Sequence, residues 1–97
     1  MSVRGIGPIV SKTRAFWIFV AGTELNRGDA VEVTFEDTTR YGEVKFPYDD
    51  GALALINRDS KGKETKEFID KEILDGDLVD VTVTVGSDSV TEPGASV

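Results

Sequence analysis

The residues best placed to do chemistry are the carboxylates Asp75, Asp77 and Asp80, with Asp88 close behind. Oxygen-only clusters of this kind hold Mg²⁺ or Ca²⁺ loosely. Paired carboxylates also serve as acid and base in glycoside hydrolysis. Nothing around them in a chain of 97 residues offers a substrate groove, so a turn carrying solvated aspartates is the plainer reading. Serine and threonine are plentiful, but a hydroxyl nucleophile needs a base. The chain has no histidine and no cysteine, which removes the usual base near neutral pH and the commonest transition-metal ligands. Ser11-Lys12 and Ser60-Lys61 both fall in expected turns. The segment Asn57-Arg58-Asp59-Ser60-Lys61-Gly62 has the outline of a calcium loop. Lysine stands at its fifth position, however, and Phe68 where a bidentate glutamate is required. No catalytic set, metal site or cofactor site is expected.

Other short motifs are equally plain. Arg27-Gly28-Asp29 spells a receptor tripeptide but precedes a strand, where the aspartate is expected to cap local N–H groups. Gly5-Ile6-Gly7-Pro8 lacks the third glycine and the helix that a dinucleotide loop needs.

The elements that would position these residues are almost all strands. Residues 3–10 read as extended, an edge strand or a bulged entry, since two glycines and a proline exclude a helix. Residues 15–20 are aromatic and β-branched. Val31, Val33 and Phe35 alternate with Glu32, Thr34 and Glu36, the mark of a strand with one wet face. Residues 41–46 form the return strand, with Val44 and Phe46 expected on the core side. Residues 52–56 are a short apolar strand. Segment 64–74 reads as a strand with a turn, or as a short helix. Residues 78–85 again alternate, with Val79, Val81, Val83 and Val85 on one side. Residues 86–97 read as a flexible acidic and polar tail. The expected fold is therefore all-β: one domain over residues 1–85, a six- to seven-stranded barrel or sandwich with at most one short helical turn.

Trp17 and Phe19 stand out. If Phe16, Ile18 and Val20 face the core, both aromatics face outward as a patch suited to a partner. Arg14 and Lys12 flank them, so the same set would also stack bases. A strand buried between two layers would hide both aromatics instead. Charge is divided along the chain. The first 27 residues carry four cations against one acid, net +3, and the remainder nets −10, for −7 overall. Such a division orients association. The overall acidity argues against nucleic acid, since phosphate binding needs a basic surface, while the positive N-terminal segment speaks for it. A small nucleic-acid barrel of the Sm, SH3-like or OB kind, using Arg4, Lys12, Arg14 and Trp17, is the alternative.

The longest apolar run, Ala15–Ala21, is seven residues, far short of the ~20 a membrane helix needs. Gly7-Pro8 and Lys12 interrupt any signal-peptide core. A cytoplasmic protein or a virion component is expected.

Gly7-Pro8-Ile9-Val10-Ser11, Phe16-Trp17-Ile18-Phe19-Val20, Arg27-Gly28-Asp29-Ala30-Val31-Glu32-Val33 and Tyr41-Gly42-Glu43-Val44 together resemble a HAS-barrel. That small barrel stands at the start of HerA-type and rotary ATPases. The likeness covers about residues 5–46, and no ATPase domain accompanies it. Gly42-Glu43-Val44, Gly51-Ala52-Leu53-Ala54-Leu55, Phe68-Ile69 and Gly76-Asp77-Leu78-Val79-Asp80-Val81 are similar to a PRC-barrel. Either resemblance implies a barrel used for docking or assembly, with no chemistry of its own. The expectation is a non-catalytic subunit or adaptor, such as a virion decoration or connector protein. It would bind protein, itself or another, through Trp17, Phe19, Arg14 and Lys12.

Overall fold

A computed structural model describes residues 1–12, 15–35, 38–59, 61–64 and 80–93. They form seven strands: β1 (Ser2–Lys12), β2 (Ala15–Thr23), β3 (Ala30–Phe35), β4 (Thr38–Pro47), β5 (Gly51–Arg58), β6 (Asp80–Val85) and β7 (Asp88–Pro93). Their order in the sheet is β1-β2-β5-β4-β3-β6-β7, and every pairing is antiparallel. The sheet curls until β1 lies against β7, giving a nearly closed barrel. Seven alternating strands cannot alternate all the way round a ring, so β1 and β7 run in the same direction where they meet. The hydrogen-bonded order ends at these two strands.

The core follows from alternation. Ile18 and Val20 of β2, Val31 and Val33 of β3, Val44 of β4, Ala52, Ala54 and Ile56 of β5, and Val81, Val83 and Val85 of β6 are all buried, with Leu25 closing one end. Each fully buried valine or isoleucine contributes roughly 1.5–3 kcal/mol. Large and small residues are matched across the β2–β5 ladder: Ile18 stands opposite Ala54 and Val20 opposite Ala52. A barrel this narrow is filled by its own side chains, and this pairing keeps the fill within bounds.

Two expectations are corrected. Phe46 does not share the core side with Val44; it is 53% exposed. The cause is a β-bulge. Val44 pairs with Ala54 but Phe46 pairs with Leu53, so β4 spends an extra residue and reverses its alternation. Residues 86–97 are not wholly a tail either. Gly86 and Ser87 make a two-residue turn, and Asp88–Pro93 return along β6 as β7. Gly86 has φ +62° and Ser87 does not share it, the pattern of a II′ hairpin turn. The alternatives for 64–74 lie outside the described residues, apart from Glu64, which bridges to Arg58.

The loop motifs are structural. Asp29 Oδ2 accepts the Asn26 N–H at 2.8 Å, while the Gly28 N–H donates to the Val44 carbonyl and the Val44 N–H to the Asp29 carbonyl, both at 2.9 Å. In the 57–62 segment, Asp59 Oδ1 accepts the N–H groups of Lys61 at 2.9 Å and Lys63 at 3.0 Å. A carboxylate held by its own backbone in this way is a turn anchor. These bonds, the Lys63 one first, hold the Asp59 carboxyl below its ordinary value of 3.8. A lowered folded-state value means that the turn's support is present above the unfolded value and is lost as pH falls through the folded one. An NMR titration should therefore give Asp59 a midpoint below 3.8. A midpoint at or above that figure would contradict the turn geometry.

Candidate interaction face on β2, β5 and β4

Because Ile18 and Val20 point inward, their neighbours Trp17 and Phe19 point to the outside of the barrel, both half-buried. Register extends them into a surface. Trp17 stands opposite Leu55, and Leu55 opposite Glu43. Phe19 stands opposite Leu53, and Leu53 opposite the outturned Phe46. The outer face of three adjacent strands thus carries Trp17, Phe19, Leu53, Leu55 and Phe46.

The aromatics are already arranged. The Trp17 and Phe46 rings stack with centroids 6.0 Å apart and planes 25° from parallel. Their strands are separated by β5, a span of about 10 Å at normal strand spacing. Both rings therefore lean inward over β5. Phe19 lies against Gly51 of β5 and Gly7 of β1, where a Cβ at Gly7 would come within 2.8 Å of Phe19 Cβ. Beside the face, the Lys45 ammonium pairs with the Glu43 carboxylate. That hydrogen bond and the lysine's charge, with lesser help from Arg58 and Arg27, hold Glu43 below the ordinary carboxylate range.

The other side of the barrel is different in kind. Thr39, Thr34, Thr82 and Thr91 stand opposite one another across β4, β3, β6 and β7. Their hydroxyls bond in pairs, Thr34 to Thr39 at 3.3 Å and Thr82 to Thr91 at 2.7 Å. This is a wet face. Near it, a depression of about 280 Å³ is lined by Glu32, Tyr41 and Thr84 among others. It falls below the ~300–1,000 Å³ typical of small-molecule sites.

The sequence-derived candidates divide. Trp17 and Phe19 share one surface. Lys12 ends β1 opposite Ala15, and Arg14 lies outside the described residues. Arg4 Nη2 points at backbone, 3.4 Å from the Gly22 carbonyl and 3.5 Å from that of Asp50. Asp80 is exposed at the start of β6, while Asp75 and Asp77 lie outside the described residues. Among the described residues no group of three carboxylates is gathered closely enough to hold a metal ion. Ser60 and Lys63 have the spacing of a serine–lysine pair. Lys63 sits on an exposed turn, however, and Ser60 is outside the described residues. Sequence reasoning missed Phe46, Leu53 and Leu55. The only signal for the two leucines was that residues 52–56 are apolar at every position, which leaves one apolar side facing out.

Comparisons with family models, with curated proteins and with solved structures return no match. The chain is a small, nearly closed antiparallel β-barrel. Among the described residues no helix is long and apolar enough to cross a membrane.

Proposed function

We propose that the chain is a non-catalytic protein-interaction module, a structural subunit or adaptor that docks through the outer face of β2, β5 and β4. One observation carries this reading: five apolar side chains from three adjacent strands share the outer side of the barrel, Phe46 exposed and the other four half-buried, while the opposite side carries a row of threonine hydroxyls. An apolar patch left in water is a liability that a binding surface justifies. Tryptophan and phenylalanine are also efficient anchors, because they order few rotatable bonds on binding. The likeness to HAS- and PRC-type barrels supports an assembly role. A virion decoration or connector protein and a cytoplasmic scaffold both fit this reading.

The test is Phe46→Ser. The ring is more exposed than buried and its stack is worth roughly 0.5–1.5 kcal/mol, so the variant should fold. Immobilised variant should capture at least about tenfold less partner from extracts of the producing cell, the loss that removing one well-packed anchor brings. Equal capture by both forms would count against the face. A low-salt gel shift that survives Phe46→Ser would favour the nucleic-acid alternative.

A further inference from the structure

We infer that the occupant of this face is a second copy of the chain, stacked with its β5 antiparallel to β5 of the first. The inference rests on the reading of the face as a docking surface and adds the partner's identity. Its basis is the way charge is laid out along the strands.

β5 begins beside Asp49 and Asp50 and ends at Arg58, and all three are exposed. Beyond Arg58, the turn adds Lys61 and Lys63 against Asp59 and Glu64. Asp59 is already engaged by the N–H groups of Lys61 and Lys63. At the acidic end, Arg4 donates to the Asp50 carbonyl and offsets one of the two aspartates. Each copy therefore presents an apolar face with a net negative end and a net positive end.

Two copies can stack face to face about a two-fold axis in either of two ways. An axis along the strands would set Asp49 and Asp50 over the same residues of the second copy, and Arg58 over Arg58. An axis across the strands, at the level of Ala54, exchanges the ends. Asp49 and Asp50 then meet Arg58 of the second copy. Leu53 meets Leu55, Phe19 meets Trp17, and Glu43 meets Phe46 with the bulge residue Lys45 beside it, each contact occurring twice. Self-complementarity of this kind is what an isologous interface requires. Sheets stacked face to face within about 30° of alignment are an ordinary packing mode. Elsewhere the chain, at net −7, repels its own copies.

The experiment is sedimentation equilibrium of the purified chain in low and high salt, with a charge exchange. Wild type should dimerise at micromolar to sub-millimolar concentration. Arg58→Asp alone, and Asp49→Lys with Asp50→Lys, should each weaken dimerisation at least about tenfold, because each sets like charges against each other. An equimolar mixture of the two variants should recover most of the affinity as a heterodimer, since every end then meets its opposite. These positions are exposed, and circular dichroism will confirm that both variants fold. A wild type that stays monomeric throughout overturns the inference, as do charge variants that dimerise like wild type, or a mixture no tighter than either variant alone. If the chain is monomeric yet Phe46→Ser still abolishes partner capture, the face stands and only its self-pairing falls.

Discussion

Gly42→Ala is expected to destabilise the barrel by about 3 kcal/mol or more, at the upper end of overpacking effects. Gly42 lies where β4 shifts register, between the pairs Tyr41–Arg58 and Gly42–Ile56. A Cβ there would run into the Leu55 carbonyl oxygen and stand 2.7 Å from the Ile56 Cα. Both obstacles are backbone of the neighbouring strand, so no side chain can swing aside to make room. The strands would have to separate at the centre of the sheet, next to the row that holds Ile56 in the core. Small domains carry about 5–15 kcal/mol of stability in total, so the loss should show as a large shift of the urea midpoint. A variant within about 1 kcal/mol of wild type, the typical cost of an ordinary substitution, would mean that β4 and β5 pair differently.

Ile18→Ala should cost roughly 2–5 kcal/mol, the usual range for deleting a buried isoleucine side chain. Its cross-strand partner is Ala54, which has no side chain long enough to fill the gap. Leu55→Ala, on the outward side of the same ladder, should cost clearly less. The comparison tests the parity of β2 and β5, on which the outer face depends. If Trp17→Ala or Leu55→Ala proved costlier than Ile18→Ala, the face would be part of a buried layer and no docking surface would exist.

Much of the barrel was legible because alternation is a direct record of burial. Val31 and Val33, and Val81 and Val83, sit where the two-residue period puts them. Alternation fails where a strand is apolar on both sides. Nothing in Phe16-Trp17-Ile18-Phe19 marks which half faces in, and only the ladder with Ala52, Ala54 and Ile56 decides it. It also fails at bulges: Phe46 stands two residues after Val44 and would share its side but for the extra residue that β4 inserts against β5. The hairpin at Gly86-Ser87 was not legible in the sequence, which reads there as a tail. The polar and acidic composition of residues 86–97 obscured it, because β7 lies at the end of the sheet and has little apolar surface to bury. The candidate face was half visible. Trp17 and Phe19 announced themselves, whereas Phe46, Leu53 and Leu55 join them only through register.

Trp17 is the single tryptophan of the chain and sits within the face, so its fluorescence tests the central claim most directly. Emission would be recorded from about 0.1 µM to about 1 mM, which spans the micromolar to sub-millimolar range expected for the dimer. If this face is the docking surface for a second copy, emission should move to shorter wavelength as concentration rises, in step with the dimer measured by sedimentation, and Phe46→Ser should abolish the shift. A dimer that forms while Trp17 emission stays unchanged would place the interface elsewhere on the barrel and contradict the account.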